Sequence, residues 1–466
     1  MFVHRHAESF NDHTPKTALM EAYQHRFDTP KHSRQFFDTT MLWIRYLRAL
    51  LAEHQWSSSL AMDFDVQLSY QASYKITYQS LVSEFAPKKQ GIFGSDRVQD
   101  PGLKHYSNIA TCVRALIPLS STGIPALDHS LLGLLGLYYG SLHGDAGLKQ
   151  LAYSSYASAL GEYSRLIDRV LDKNTNKASR SYHTFIYISI SMQMFEYVSG
   201  ITAQSGGTDN HLHMRGALKA LQYCGPEPLQ KYFGMQKAFR GLRGAAIFDA
   251  IEQRKETFLG RSEWLGIPPA DEKSMRDRLN DVGVFIPEVL ERFDKLPSNF
   301  TAETFESGSS LLARITELQS KLEGWLSMFQ GTTSEPLYWS RNSSSMSANE
   351  QYDPECAPKY SNHFHQTAFL CGPVAGLLVL HWSFALHLSM TSIELQKNLL
   401  SYVRGVQEKL GSRDTLSSGL EREKALAEST AQLILEAEPY LSSCYEGLIC
   451  LQAPLRTVAK YFDSLS

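Results

Sequence analysis

The sequence predicts an all-α protein, a large irregular multi-helix bundle of packed helix pairs. Three observations carry that expectation. Apolar residues recur three and four apart in most segments. Turn formers gather in a few polar breaks between those segments. Period-two alternation stands out in one place, "FIYISISMQMFEYV" from Phe185; β-branched alternation there suits a strand, but its length and helical neighbours assign it to a helix buried on most sides.

Helices are expected over residues 36–53, 131–142 and 151–171. In the third, Ala152, Tyr156, Ala159, Leu160, Tyr163, Leu166, Ile167 and Val170 share one face. The strand-like segment falls in a helix over 181–198. Met214, Ala217, Leu218 and Leu221 repeat the pattern before Gly225-Pro226, where glycine suits a left-handed cap and proline blocks continuation. In 311–329, Leu311, Ile315, Leu318, Leu322, Trp325 and Phe329 form a narrow seam suited to packing on another helix. Further helices are expected over 393–409, 421–437 and 454–462. The stretch 367–390 carries no Asp, Glu, Lys or Arg. Its length fits a membrane span of about 20 residues, but its histidines and serines and an early Gly372-Pro373 fit a buried core helix better. Polar stretches at 172–181, 203–210 and 340–363 read as loops.

These segments group into an N-terminal arm over 1–104, with one or two helices and partly disordered, and one all-helical body over 105–466 with a flexible loop near 331–363. The stretch 87–102, rich in Pro and Gly, is the expected separator.

The chain has 466 residues, 43% hydrophobic and 20% charged, an ordinary globular balance that argues against disorder as the main state. The net charge of −3 disfavours a surface that wraps nucleic acid as a whole. The six cysteines are dispersed, none in a C-x-x-C pair, and read as reduced core thiols. The N-terminus is polar and lacks the apolar core of a secretory signal.

Signatures of known chemistry are missing. There is no G-x-S-x-G elbow, no phosphate loop, no G-x-G-x-x-G and no aspartate-rich D-D-x-x-D run. Glu162–Arg165 spell E-x-x-R, but no cysteine sits in a Gly-rich haem loop. His211 and His213 lie two apart, as do His363 and His365. On a helix such pairs diverge, and no nearby cysteine or carboxylate cluster completes a metal set, so hydrogen-bonded or solvated histidines are expected.

One helix poses a sharper question. In "FRGLRGAAIFDAIEQRKETFLGRSEW", Phe239, Leu242, Ala246, Ile247, Ala250, Ile251 and Phe258 make one broad apolar arc. Arg243 and Arg254 are eleven residues apart, close to three helical turns, and fall near the middle of that arc. A buried guanidinium is costly unless carboxylates or carbonyls answer its donors. Internal ion pairs or caps on neighbouring helices satisfy that requirement; so does a pocket for an anionic small molecule. Trp264 is expected to anchor the loop after the helix, with Pro268-Pro269 turning the chain.

"HLHMRGALKALQYCGPE" and "FRGLRGAAIFDAIEQRKETFLGRSEWLGIPP" together resemble the regulatory domain of fungal-specific transcription factors, which usually follows a zinc binuclear cluster. The matching positions are His213, Gly216, Ala217, Gly225, Pro226, Arg243, Arg254, Thr257, Phe258, Leu259, Trp264 and Pro268. The terminal "LQAPLRTVAKYF" looks like that family's closing helix. The resemblance runs from about residue 105 to the end and implies a nuclear, non-enzymatic regulator of a metabolic or secondary-metabolite gene set. It implies no cofactor and no catalytic residue. The residues singled out as ligand-binding or structural are Arg240, Arg243, Arg254, His213 and Trp264.

The family's DNA-binding module needs six closely spaced cysteines on two zinc ions, and this sequence has no such array. The expected partners are therefore DNA, reached indirectly or through a missing N-terminal module, and other transcription regulators. A homodimer through the 311–329 seam is open, and no membrane is expected. The alternative is an all-α enzyme or small-metabolite-binding protein using the buried arginines. Convergence of His381 or His387, an acid and Arg243 on one enclosed cavity would favour it; full pairing of the arginines with internal carboxylates would weigh against it.

Overall fold

A computed structural model describes residues 124–142, 144–171, 178–202, 212–231, 233–297, 300–340, 367–370, 372–406, 412–442 and 445–465. The arm expected over 1–104 and most of the 340–363 loop lie outside the described residues. The fold is all-α, as the sequence predicts, and the described residues form two compact units that divide between Cys224 and Gly225. The sequence reading drew one body from residue 105 onward; this division falls within it.

The first unit begins with α1 (Pro125–Leu142), which packs against α2 (Ala146–Leu171) and α3 (Ala178–Thr202). Pro125 is the first residue of α1, where its missing N–H costs no hydrogen bond. Leu127, Leu131, Leu134, Leu135 and Leu137 are all buried, so α1 has little polar face. Gly133 lets α2 come close, since a β-carbon there would stand 3.2 Å from the Ala152 carbonyl oxygen.

The strand-like segment is helical. Residues 185–195 of α3 are buried without a break, because α1, α2 and α4 (Leu212–Cys224) all pack against it. A helix enclosed on most sides has no polar face to impose a 3.6-residue pattern, which is why its alternation imitates a strand. Its buried hydroxyl at Ser189 donates to the Phe185 carbonyl at 2.7 Å. Gly225, with φ of 73°, ends α4 in the left-handed region, as its sequence position predicts.

The second unit opens with the short α5 (Glu227–Lys231) and the arginine helix α6 (Phe233–Gln253). A single 3₁₀ turn (Phe258–Gly260), the short α7 (Ser262–Leu265), α8 (Met275–Gly283) and α9 (Ile286–Asp294) follow. Then come α10 (Ala302–Gln330), α11 (Gly372–Val406), α12 (Ser412–Leu441) and α13 (Tyr445–Asp463). α11 is the hub, packing against α10, α12 and α13.

The seam of α10 is buried at all its predicted positions, from Leu311 through Phe329. It packs against α8, α9 and α11, so the apolar stripe considered for a homodimer lies inside the unit. α10 starts on a capping box in which Thr301 and Thr304 satisfy each other's backbone N–H groups. Trp325 donates its indole N–H to the Met275 carbonyl at 2.7 Å, tying α10 to α8.

The uncharged stretch and the helix expected over 393–409 prove to be one 35-residue helix. Thr391 and Ser392 do not break it, because Thr391 donates to the His387 carbonyl at 2.9 Å and Ser392 accepts from Gln396 at 2.9 Å. α11 is long and apolar enough to cross a membrane, yet 83% of its most apolar window lies buried inside the fold. Its first expected residues instead form a short strand. β1 (Tyr338–Ser340) pairs antiparallel with β2 (Thr367–Phe369) in the register Tyr338 to Phe369, drawing the ends of the long loop together.

Candidate functional site

The arginine helix buries Phe239, Leu242, Ala246, Ile247, Ala250 and Ile251, six of the seven arc residues read from its spacing; the seventh, Phe258, lies beyond the helix in the 3₁₀ turn and is half-buried. Arg243 lies in that arc and is 1% exposed. It donates from Nη2 to Asp281 Oδ1 on α8 at 2.6 Å. Its Nε and Nη1 have no hydrogen-bond partner, and its guanidinium carbon sits 6.0 Å from the centre of the Phe239 ring. The second oxygen of Asp281 accepts from Lys273 Nζ at 2.6 Å, and Lys273 also donates to the Leu265 carbonyl at 2.7 Å. One carboxylate thus holds two cations, and through them joins α6, the end of α7 and α8.

Arg240, a turn earlier, is one-third exposed and donates to the Glu272 carbonyl at 3.0 Å, with its Nε 3.6 Å from Asp277 Oδ2. Asp277 is itself committed to the capping box that starts α8 at Ser274. Both arginines therefore meet the same stretch of chain, residues 272–281.

Arg254 departs from its expected place. α6 ends at Gln253, so Arg254 is not aligned with Arg243 on the apolar arc. It sits in the left-handed region at φ of 51°. The Lys255 N–H reaches back to the Ala250 carbonyl and the Arg254 N–H to the Ile251 carbonyl, both at 3.1 Å. That is the double closure of a Schellman cap, with arginine where glycine is usual. The turn aims the side chain across to α9, where Nε and Nη2 grip the two oxygens of Asp294 at 2.7 and 2.6 Å. The pair is about two-fifths exposed on each side. Beside it, Glu291 accepts from the Glu256 N–H at 2.7 Å and pairs with Lys295 at 3.0 Å. That N–H, followed by Lys295, holds the Glu291 carboxyl down to about 2.

The turn beyond the helix folds as its residues suggest. Thr257 caps the 3₁₀ turn. Trp264 is buried and meets Phe258 edge-on at 4.7 Å and Phe239 at 6.0 Å, which returns the loop to the start of the arc. The Ile267–Pro268 bond is cis. The closing helix α13 is tied to α6 by Arg456, whose Nη2 lies 2.7 Å from Glu252 Oε1.

His213 lies in the other unit, in the first turn of α4. Tyr156 donates its hydroxyl to Glu196 Oε1 at 2.9 Å, and His213 Nε2 lies 2.9 Å from the same hydroxyl. A phenol has one proton, so with that proton on Glu196 the histidine is the donor to Tyr156. Tyr156 stacks on Phe195 with ring centres 4.2 Å apart. Burial, then the Glu196 charge, push the Tyr156 phenol well above its ordinary range. Spacing placed Tyr156 on an apolar face; only the crossing of α2, α3 and α4 brings its hydroxyl to Glu196 and His213.

Arg243 does not converge with a histidine and an acid on one enclosed cavity. His381 donates from Nε2 to the Leu322 carbonyl, 3.2 Å away, and stacks on Trp325 at 5.3 Å; it serves the α10–α11 contact. Arg243 is on Asp281. His387 lines a cleft with Glu252 and Arg254, but Arg243 is not among its lining residues. No group of three or more metal-ligating residues occurs among the described residues.

This is an all-α protein whose singled-out arginines fasten helices to one another. No protein-family model, curated protein or solved structure matches the chain.

Proposed function

We propose that the chain is a fungal transcription regulator, non-enzymatic and nuclear, acting through its helical body on a metabolic or secondary-metabolite gene set. The observation that carries this reading is the joint motif itself, from His213 to Pro268. What supports it is the use to which the motif residues are put. Arg243, Arg254 and Trp264 are spent on Asp281, Asp294 and the two phenylalanines, which favours a rigid scaffold over a reacting centre. DNA is reached through a DNA-binding module, on the same polypeptide or on an associated regulator, since the sequence carries no six-cysteine array.

Chromatin immunoprecipitation of the tagged chain in its native host tests the proposal. Enrichment at a co-regulated set of promoters, with altered transcripts on deletion, is expected. Absence of enrichment together with unchanged transcripts overturns it.

A further inference from the structure

A cleft of about 440 Å³ opens in the second unit where the end of α6 meets α11, α12 and α13. That size lies within the usual range of small-molecule sites. Its floor is apolar, with Ile251, Leu290 and the ring of Tyr461 each no more than 4% exposed. Its rim charges select nothing. Glu394 and Lys397 lie three apart on α11, Lys424 and Glu428 lie four apart on α12, and Arg254 is held by Asp294. Opposite charges so placed, at the edge of solvent, offset one another.

Two less exposed groups are left without partners by the fold. The first is on His387. Thr457 on α13 donates its hydroxyl to the Ala453 carbonyl at 3.0 Å, so its one proton is engaged. His387 Nε2, 2.9 Å from that hydroxyl, is then the donor. Burial, and next the Lys460 and Arg254 charges, keep the ring neutral. A neutral ring with its proton on Nε2 carries a lone pair on Nδ1, and Nδ1 has no hydrogen-bond partner among the described residues. The second is on Tyr461, one turn beyond Thr457. Its phenol hydroxyl also has no partner among the described residues. Burial, and next the Glu428 charge, keep that phenol protonated and so a donor. Neither atom is sealed in the core, and both residues line this cleft.

We propose that this cleft binds an uncharged small molecule with an apolar body and a hydroxyl group. The ligand hydroxyl accepts from Tyr461 and donates to Nδ1 of His387, while the apolar body covers Ile251 and Leu290. A carboxylate accepts from Tyr461 but has no proton for His387, and an ether has the same defect. An ammonium donates to His387 but has no lone pair for Tyr461. A hydrocarbon leaves both groups unanswered, and a polar group sealed off without a partner costs free energy.

The inference goes beyond the transcriptional reading and does not rest on it, because binding is read on the purified full chain. Isothermal titration calorimetry with 4-propylphenol is the probe, with 4-propylanisole and 4-propylbenzoate in separate arms. Saturable binding of 4-propylphenol is expected, with the ether and the carboxylate each weaker by about fivefold or more, the scale of one lost hydrogen bond. Tyr461→Phe removes only a hydroxyl that the fold leaves unpartnered, so its circular dichroism should match the parent. It should weaken 4-propylphenol and 4-propylanisole alike, by about fivefold. His387→Phe should bring 4-propylphenol down to the level of 4-propylanisole. That variant also loses the donor to Thr457; if its circular dichroism departs from the parent, the ether comparison and Tyr461→Phe decide alone. No saturable binding of 4-propylphenol, an ether or carboxylate that binds as tightly, or an unchanged affinity in Tyr461→Phe would each overturn the proposal, as would a folded His387→Phe that keeps the gap between phenol and ether.

Discussion

Arg243 enters the fold with five donors and finds one carboxylate oxygen. Two of its nitrogens stay unanswered, so its ion pair does not repay the burial in full, and its replacement by a hydrophobic side chain of similar length should be nearly neutral. Asp281 is different, because its loss strands two buried or half-buried cations at once. Asp281→Asn should cost about 3 kcal/mol, and Arg243→Met about 1 kcal/mol or less, in urea unfolding of the full chain. Equal losses would mean that the guanidinium contributes attraction and not only a requirement. Arg254 offers a second residue-scale test. Glycine at its left-handed position removes a backbone cost of about 1 kcal/mol and forfeits an exposed bidentate pair of about the same size. Arg254→Gly should therefore leave the melting temperature within a few degrees of the parent. Arg254→Ala, which loses the pair and keeps the backbone cost, should be the less stable of the two.

Elements were legible in the sequence wherever one face met solvent. The α10 seam is the clearest case: its six apolar positions, read from spacing, are all buried, with Gly308 the one other buried residue of the helix. Legibility weakened where burial was complete. α3 has no polar face, so only its length and neighbours assigned its alternating segment to a helix, and α11 was read as an uncharged stretch and a separate helix. The place of Arg254 was missed for another reason. The apolar period runs on through Phe258, but the chain leaves the helix at Gln253, and nothing in the arginine codon position announces a left-handed cap where glycine is usual. Of the candidate site, the arc and the buried Arg243 were readable; Asp281, Lys273 and Asp294 were not, since they lie 30 or more residues away, on α8, in the loop before it and on α9. A close approach of the same hidden kind occurs where α8 ends on α11. A β-carbon on Gly283 would overlap the ring of Phe384, which is fully buried. Gly283→Ala should cost about 1–3 kcal/mol through overpacking, measured by urea unfolding, and Phe384→Leu in the same chain should recover part of the loss.

The molecule as a whole carries buried titratable groups in both units, a carboxyl and a histidine in the first, where burial lowers His129 against a pull from Glu162, and two histidines in the second. In the first, Asp128 is buried in the opening turn of α1 with Oδ1 unpartnered, and burial raises its carboxyl to about 8. A carboxyl whose pKa is higher in the folded state takes up a proton on folding. Its contribution is fully present below the ordinary value of 3.8 and is lost as pH rises toward 8. In the second unit, burial lowers His381 to about 4 and His387 to about 3. There the unfolded chain holds the extra proton between 6.5 and those values, so stability falls as pH drops through that window. For His381 alone the full swing is about 3 kcal/mol. Glu291 and Glu317, both held down to about 2, add acid sensitivity only below their ordinary 4.5. Toward pH 8 the first unit should therefore lose what Asp128 contributes, and toward pH 5 the second should lose what His381 and His387 contribute. Hydrogen exchange, corrected for the intrinsic pH dependence of amide exchange, reads this directly. Protection in α1–α4 should decline toward pH 8, and protection in α10, α11 and α13 should decline toward pH 5. Asp128→Asn should flatten the first trend, because a neutral amide has no proton to lose. His381→Phe keeps a flat ring against Trp325 and should flatten part of the second, leaving the share that belongs to His387. If protection in α1–α4 does not decline toward pH 8, or that in α10, α11 and α13 does not decline toward pH 5, the buried groups named here do not govern the acid and base limits of the fold.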